Sequence, residues 1–292
     1  MNRLLIVDGH AYAYRAFHAI RELRAPDGRP TNAIYGFVKM LEKMGQMVVP
    51  SHQMVVWDGG LSAARTAALP DYKAQRPEMP ADLRPQLAGL GEFLAAARIA
   101  SYRADGVEAD DYIASLARRA AAEGWDVVIA SSDKDFMQLV SARIGLWNPN
   151  DKTGTIWGAG QVRAKTGVAP EQVADWLALM GDAVDNIPGV PGVGPKTAAE
   201  LLNQFGSVEN LLARLDEVKS EKLRQSLRGA AAAVVRNQQL VRLPAVPCDW
   251  VPEKLAVQSG DRAALGRLYA GWGFKGLLAA LAADCGKQTE LI

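Results

Sequence analysis

The stretch Leu4-Leu5-Ile6-Val7-Asp8 is a short apolar run that ends in an acid, and two later stretches repeat this design. Met54-Val55-Val56-Trp57 leads into Asp58, and Val127-Val128-Ile129-Ala130 is followed closely by two further acids. Runs of this length and composition are typical of buried strands. Helical patterns alternate with them, which predicts an α/β fold with a mostly parallel sheet core and flanking helices. The predicted helices span 33–47, 85–97 and 109–123.

Acidic residues follow each of the three predicted strands, namely Asp8, Asp58, Asp133 and Asp135. Ligands of parallel α/β sheets bind at the carboxyl ends of the strands, so these acids are candidates for a functional site. Asp is also a favoured turn and N-cap residue, and a purely structural role for each of them is the alternative.

Two further acidic groups lie at helix ends. Glu108, Asp110 and Asp111 precede or open the helix predicted over 109–123, and Asp182 and Asp185 follow a helix predicted over 170–180. Acids at the C-terminal end of a helix oppose its macrodipole, which favours a functional reason for the second pair. Converging carboxylates repel one another unless cations neutralise them. Oxygen ligands without His or Cys suit Mg²⁺ or Mn²⁺, and two such ions commonly support phosphodiester cleavage.

The sequence changes character near residue 160, beyond which it reads as all-helical. A turn-rich run from Pro188 to Pro195 is followed by a predicted helix, and from Val190 to Arg242 eight Lys and Arg face five Asp and Glu. The run is not a phosphate-binding P-loop, because Pro195 separates Gly194 from the lysine. It favours a helix–hairpin–helix-type turn whose backbone N–H groups face DNA phosphates. Its candidate DNA-binding residues are Gly189, Gly192, Gly194, Lys196 and Thr197.

Prolines at 70, 77, 80 and 85 punctuate the segment 69–85, which also carries several basic residues. Prolines at this density forbid one continuous helix. We therefore predict a projecting, partly ordered segment over the sheet.

Composition sets outer limits on function. The chain has 292 residues, of which 49% are hydrophobic and 22% charged, as in ordinary globular proteins. Its two cysteines exclude a disulfide scaffold or a Cys-rich zinc site. A net charge of +1 excludes a simple polycation. Because no secretory signal or long apolar segment opens the chain, we expect a cytoplasmic protein.

Taken together, these motifs resemble the metal-dependent 5′ nucleases, a family of flap endonucleases and 5′→3′ exonucleases. The resemblance extends to the N-terminal nuclease domain of bacterial DNA polymerase I and covers nearly the whole chain. Since the sequence stops at Ile292 without a polymerase domain, we expect a stand-alone relative. The matching stretches are Ile6-Val7-Asp8-Gly9, Val56-Trp57-Asp58, Tyr72-Lys73-Ala74-Gln75-Arg76-Pro77, Gly106-Val107-Glu108-Ala109-Asp110-Asp111, Ser132-Asp133-Lys134-Asp135 and the run 179–198.

The resemblance implies a role for each candidate residue. Lys73 and Arg76 match a helical-arch pair that contacts the scissile phosphate, and Tyr72 matches an aromatic residue beside that pair. Arg15 matches an active-site arginine, and Arg65 matches a further basic residue, which we place among the DNA-binding residues. The carboxylates match two metal groups, the first being Asp8, Asp58, Glu108, Asp110 and Asp111 and the second Asp133, Asp135, Asp182 and Asp185.

The expected layout is a PIN/5′-nuclease-like α/β core over 1–160, with an arch near 70–98, and a helical part over 161–292. That helical part contains a helix–three-turn–helix over 171–212, where the resemblance also implies a K⁺ site. The expected activity is Mg²⁺- or Mn²⁺-dependent hydrolysis of phosphodiesters at DNA 5′ ends and flaps, including RNA primer–DNA hybrids, in replication and repair. We expect a monomer that works beside a separate DNA polymerase.

Two other classes of protein stay open at this point. One is a non-catalytic protein that binds branched DNA with the same fold, and the complete acid set argues against it. The other is a ribonuclease of the smaller nuclease folds, which lacks the Gly189–Lys196 run and the Lys73 and Arg76 pair.

Overall fold

A computed structural model describes residues 2–149 and 153–289, with side chains as far as Ala283. Its strands are β1 (Arg3–Asp8), β2 (His52–Val56), β3 (Ala100–Tyr102), β4 (Asp126–Ala130), β5 (Ile144–Trp147), β6 (Ile156–Trp157), β7 (Gly181–Asp182) and β8 (Ile187–Pro188). Its first helices are α1 (Gly9–Ala19), α2 (Asn32–Val48), α3 (Ala63–Ala68), α4 (Arg84–Ala96), α5 (Ala109–Ala122), α6 (Ala159–Thr166) and α7 (Val173–Met180). The later ones are α8 (Pro195–Phe205), α9 (Val208–Ala213), α10 (Glu221–Val241), α11 (Pro252–Leu255), α12 (Arg262–Trp272) and α13 (Lys275–Thr289).

Two compact units interleave along the chain. The first contains residues 2–57, 78–103 and 250–289, and the second contains 58–77 and 104–249. The sequence predicted a single domain boundary near residue 160. The structure divides differently, because stretches that are distant in the chain pack together within each unit.

The first unit is built on parallel strands. β1 pairs with β2 and β2 pairs with β3, both in parallel. The side chains of Leu4 to Val7 are fully buried, because α1 packs against β1 and β2 and also against α2. Tyr269, Trp272 and Phe274 near the C-terminal end of the unit are buried as well.

The second unit combines strands with most of the helices. β4 pairs in parallel with β5, β6 is antiparallel to β5, and α5 packs against β4 and β5. α7 packs against α8 and α10, and the two short strands β7 and β8 form an antiparallel pair. The α/β class with parallel strands and the helical second half are thus confirmed.

The arch that the sequence predicted over 70–98 is not one element. Residues 70–75 form turns in the second unit, and α4 lies in the first unit. Leu90 and Leu94 of α4 are fully buried, and α4 packs against α2 and β3. The second half of the predicted arch is therefore a core helix. No helix in the described parts of the chain has the length and apolar character needed to cross a bilayer.

Candidate active site

The strand-end acids Asp8, Asp58 and Asp133 each accept a hydrogen bond from a nearby backbone N–H. An oxygen of Asp8 caps α1 by accepting from the N–H of Ala11 at 3.1 Å. Asp58 accepts from the N–H of Gly60 at 2.7 Å, and Asp133 accepts from the N–H of Asp135 at 2.9 Å. These contacts agree with a purely structural role for the three acids. A carboxylate can accept several hydrogen bonds, however, so these contacts do not exclude a functional role.

The second acidic group lies within the second unit. The pKa of Asp135 is raised well above its usual range, first by burial and then by the carboxylates of Asp133, Asp185 and Asp182. Burial also raises the pKa of Asp133, and Asp185 and Asp182 add to that effect. Oδ1 of Asp135 is buried and has no hydrogen-bond partner among the described residues. The four acids therefore repel one another and leave one oxygen unsatisfied.

These properties fit a divalent metal ion. An ion would neutralise the repulsion and satisfy Oδ1 of Asp135, and the donors are all hard oxygens. As the side chains stand, no three of the described Asp, Glu, His and Cys groups converge closely enough to hold one ion. Basic side chains lie between them instead. Lys134 pairs with Asp182 at 3.0 Å, and Arg76 pairs with Asp185 at 2.7 Å.

Glu108 is the most heavily contacted of these acids. It is 1% exposed and stands at the N-cap position of α5. Oε2 accepts from Nζ of Lys73 and, at 3.3 Å, from the hydroxyl of Tyr72. Oε1 accepts from the N–H of Ser62 at 2.9 Å and lies 3.3 Å from a nitrogen of Arg65. Burial acts against the charge, but Lys73 and Arg65 hold the pKa of Glu108 below its usual value.

The segment 70–77 is attached to the loop between β7 and β8. The backbone N–H of Lys73 donates to the carbonyl of Asp185 at 3.1 Å, and Arg76 pairs with the Asp185 carboxylate at 2.7 Å. The side chain of Asn186 donates to the carbonyl of Asp71 at 2.9 Å. The prediction of a projecting segment was wrong here, because Tyr72 and Lys73 are 3% and 5% exposed. A long-range ion pair with Glu108 holds Lys73 inside the unit, and the Tyr72 hydroxyl donates to the same carboxylate.

Lys73 has an unusual backbone. Its φ is +56°, a left-handed conformation that costs about 1 kcal/mol or more for a non-glycine residue. Arg76 remains half-exposed, with 42% of its side chain accessible. Although burial lowers it, the pKa of each of these cations is raised by nearby acids, which include Asp110 and Asp185. The structure thus brings Glu108, Asp110 and Asp185 around the predicted phosphate-binding pair.

Arg65 and Asp111 occupy places that differ from their predicted roles. Arg65 is 6% exposed and forms a bidentate pair with Asp111 at 2.7 and 2.9 Å. A guanidinium so enclosed does not face solvent, which argues against its predicted place among the DNA-contacting residues. Arg15, by contrast, is exposed on α1 of the first unit, on the helix that Asp8 caps.

The predicted DNA-binding turn has a constrained backbone. Chain segments cross closely at Gly189, where a Cβ would lie 2.1 Å from the carbonyl oxygen of Met180. Gly192 has a φ of +84°, which favours glycine, and Gly194 is the N-cap of α8. Lys196 is exposed and Thr197 is half-buried in the first turn of α8. The first N–H groups of this helix lack intrahelical partners, as a phosphate-binding helix start requires.

Sequence reasoning missed two residues that contact the predicted site, Lys134 and Asn186. Lys134 lies between two predicted metal ligands and pairs with a third acid, and its position within the acidic motif is the signal that could have found it. Asn186 fixes the 70–77 segment through a backbone carbonyl. Its positive φ of +58° is consistent with its place directly after an acid in a turn, where Asn is favoured.

Comparisons with known proteins give consistent results. Residues 3–167 match the family model of the 5'-3' exonuclease N-terminal resolvase-like domain. Residues 168–263 match that of the 5'-3' exonuclease C-terminal SAM fold. The chain is 43% identical over 222 residues to a 5'-3' exonuclease of Aquifex aeolicus, an alignment that covers 76% of each chain.

DNA polymerase I of Bacillus caldotenax is 40% identical over 279 residues, which are 94% of this chain and 32% of that protein. The chain therefore spans about a third of the length of this relative. Among solved structures, the bacteriophage T5 flap endonuclease in a pseudo-enzyme-product complex with DNA and metal ions superposes with a TM-score of 0.70. It is 23% identical and covers 99% of this chain and 100% of its own, a likeness that concerns the fold.

Proposed function

We propose, since this chain belongs to the 5'-3' exonuclease family, that it is a structure-specific 5′ nuclease that hydrolyses phosphodiesters at DNA 5′ ends and 5′ flaps. The observation that carries the proposal is the cluster of mutually repelling carboxylates beside the two cations Lys73 and Arg76. Burial raises the pKa of both Asp133 and Asp135, the carboxylates of Asp185 and Asp182 raise it further, and Arg76 lies against Asp185. A site of this composition holds divalent cations and an anionic substrate.

The carboxylates are the proposed holders of the metal. The second group consists of Asp133, Asp135, Asp182 and Asp185, and Glu108 and Asp110 join it through their shared cations. Bound Mg²⁺ or Mn²⁺ supplies an activated water and stabilises the charge that develops on the phosphate. Asp8 and Asp58 complete the set of strand-end acids that the family pattern implies.

The cations of the 70–77 segment are the proposed phosphate-binding groups. Arg76 is half-exposed and presents a planar fork that suits a phosphate oxygen pair. Lys73 would contact a phosphate only after its pair with Glu108 opens. The ring centre of Tyr72 lies 4.9 Å from Nζ of Lys73, and the Tyr72 hydroxyl donates to the same Glu108 oxygen as Lys73.

The Gly189–Thr197 turn is the proposed contact to the duplex. Its open backbone at Gly192 and Gly194 permits close approach of a phosphate, and Lys196 adds a positive charge. Phosphate contacts carry no base information, so binding is independent of sequence. K⁺ on the turn carbonyls, RNA primer–DNA hybrids as substrates, a monomeric state, a separate polymerase as partner and a cytoplasmic location belong to the same proposal.

The deciding experiment is cleavage of a labelled 5′-flap duplex with Mg²⁺, with EDTA as control and the product lengths mapped. We expect cleavage only with the divalent ion, at or next to the flap junction. Binding without cleavage in Mg²⁺ and Mn²⁺ would identify a non-catalytic DNA-binding protein. Faster cleavage of single-stranded RNA than of flap DNA would instead favour a ribonuclease.

A further inference from the structure

Four of the five N–H donors of the Arg65 guanidinium form hydrogen bonds within the second unit. Nη1 and Nη2 donate to the two oxygens of Asp111 at 2.9 and 2.7 Å. Nε donates to the carbonyl of Leu240 at 2.9 Å, and Nη2 also donates to the carbonyl of Arg242 at 3.2 Å. Nη1 also forms an ion pair with Oε1 of Glu108 at 3.3 Å. A guanidinium has five such donors, and a lysine cannot reproduce this fork.

Two of these acceptors lie at the end of α10. The last carbonyls of a helix lack intrahelical partners, and a basic side chain there satisfies them and complements the helix dipole. Arg65 does so for Leu240 and Arg242 although it lies about 175 positions earlier in the chain. Its side chain therefore joins the C-terminal end of α10 to the acidic residues at the start of α5.

The contact with Glu108 sets the orientation of that carboxylate. Arg65 and the N–H of Ser62 both face Oε1, so that Oε2 is directed to Lys73 and Tyr72. Ser62 also caps α3, the helix that carries Arg65, so both contacts to Oε1 come from one local structure. A substitution at Arg65 is therefore expected to change the orientation of the Glu108 carboxylate without removing a contact to DNA.

We propose that Arg65 is a positioning residue for Glu108, and that Asp111 is its counter-ion and neither binds metal nor faces DNA. Both Asp111 oxygens are engaged by Arg65, and both side chains are buried, at 6% and 5% exposure. A buried guanidinium requires a carboxylate partner, since breaking such a pair is strongly destabilising. The proposal rests on the proposed function for its effect on cleavage, but its structural assignments can be tested separately.

The test compares Arg65→Lys and Asp111→Asn with the control Arg118→Lys. Arg118 donates to the carbonyl of Leu243 at 2.8 Å, so it ties the same stretch of chain without a bond to any acid of the site. For each protein the bound Mn²⁺ ions are counted by electron paramagnetic resonance. The affinity for flap DNA in EDTA is measured against salt, and single-turnover cleavage is measured in Mg²⁺. Circular dichroism confirms folding.

We expect Arg65→Lys to slow single-turnover cleavage about 10- to 100-fold, as loss of a residue that orients a metal-site carboxylate does. Its DNA affinity and salt dependence should equal those of the wild type. Asp111→Asn should bind the same number of Mn²⁺ ions as the wild type. Arg118→Lys should match the wild type in all three measurements.

Three results would overturn the proposal. Loss of a bound Mn²⁺ ion in Asp111→Asn would make Asp111 a metal ligand, and a shallower salt dependence in Arg65→Lys would make Arg65 a DNA contact. Equal slowing of cleavage in Arg118→Lys would show that Arg65 only stabilises the fold, as other residues near the end of α10 do. A wild type that never cleaves would refute the proposed nuclease function, while the Mn²⁺ count and the salt dependence would still decide the roles of Asp111 and Arg65. If Arg65→Lys does not fold, the ion count of Asp111→Asn decides.

Discussion

Lys73 and Glu108 form an ion pair that is almost completely withdrawn from water, with side-chain exposures of 2% and 1%. The pair joins the turn segment 70–77 to the start of α5 within the second unit. Desolvation makes such a pair costly, and its charges remain favourable only while both partners are present. The residue predicted to touch the substrate is thus also a structural element of the metal-free protein.

We expect Lys73→Met to destabilise the metal-free protein by about 3–5 kcal/mol, because the buried Glu108 then keeps only Arg65 as a charged partner, and Arg65 already pairs with Asp111. The double variant Lys73→Met with Glu108→Gln should recover most of that loss, since the second substitution removes the charge that Lys73 had compensated. Urea unfolding in EDTA measures both. A double variant that is no more stable than Lys73→Met would show that the pair is not the source of the loss.

The sequence was sufficient to predict the α/β class, because β1, β2 and β4 each contain a continuous apolar run and helical patterns alternate with them. It also located the acids, since they follow those strands directly. It could not predict that Tyr72 and Lys73 are buried, because proline spacing reports the local backbone and not a partner such as Glu108, 35 positions away. The pairing of Arg65 with the end of α10 depends on contacts of the same kind, across 175 positions.

Arg76→Ala should lower the single-turnover cleavage rate far more than the affinity for flap DNA. The guanidinium is half-exposed beside Asp185, and its charge matters most when the phosphate gains negative charge in the transition state. A loss of about 100-fold in rate or more is typical for a preorganised donor of this kind. Arg119→Ala is the control, because Arg119 pairs with Glu123 on the exposed face of α5. Unchanged rates with weakened binding would contradict the assignment.

Asp135→Asn should stabilise the metal-free protein at neutral pH. The folded-state pKa of Asp135 is raised well above its usual value by burial and by Asp133, Asp185 and Asp182, so its charge opposes folding once the pH exceeds that folded-state pKa. Each unit of such a shift corresponds to about 1.4 kcal/mol. The advantage of the variant should shrink as the pH falls through the raised pKa. It should vanish below the usual pKa of aspartate, where the group is protonated in both states.

Thermal unfolding in EDTA across pH 3–8 tests this expectation. Asp126→Asn is the control, because Asp126 pairs with Arg143 and is not among the acids that raise the pKa of Asp135. A melting temperature of Asp135→Asn below that of the wild type at neutral pH would contradict the repulsion on which the metal proposal depends.

Lys196→Ala should weaken DNA binding equally for unrelated sequences and make it less dependent on salt. Lys196 is exposed in the first turn of α8, where it and the helix N-terminus face outward. Loss of one phosphate contact lowers the slope of log affinity against log salt by about 1. Lys39→Ala, which removes a lysine paired with Glu42 on α2, should leave the slope unchanged. A sequence-dependent loss would point to base contacts instead.

Gly189→Ala and Gly194→Ala separate the architecture of the turn from its surface. A Cβ at Gly189 would lie 2.1 Å from the carbonyl oxygen of Met180 and 2.8 Å from the backbone nitrogen of Gly181, and backbone atoms cannot yield as a flexible side chain can. We expect this substitution to displace the end of α7 from the turn that follows β8 and to lower the melting temperature by several degrees, as a loss of about 1–3 kcal/mol from overpacking does. A Cβ at Gly194 meets no described atom within 4 Å, and its φ of −99° suits any residue. Gly194→Ala should therefore melt close to the wild type but bind flap DNA more weakly, because the added methyl group stands where the backbone would approach a phosphate. Normal DNA affinity in a well-folded Gly194→Ala protein would show that the start of α8 does not contact DNA closely. Normal stability in Gly189→Ala would show that the chain at Gly189 packs less closely on Met180 and Gly181 than these distances imply.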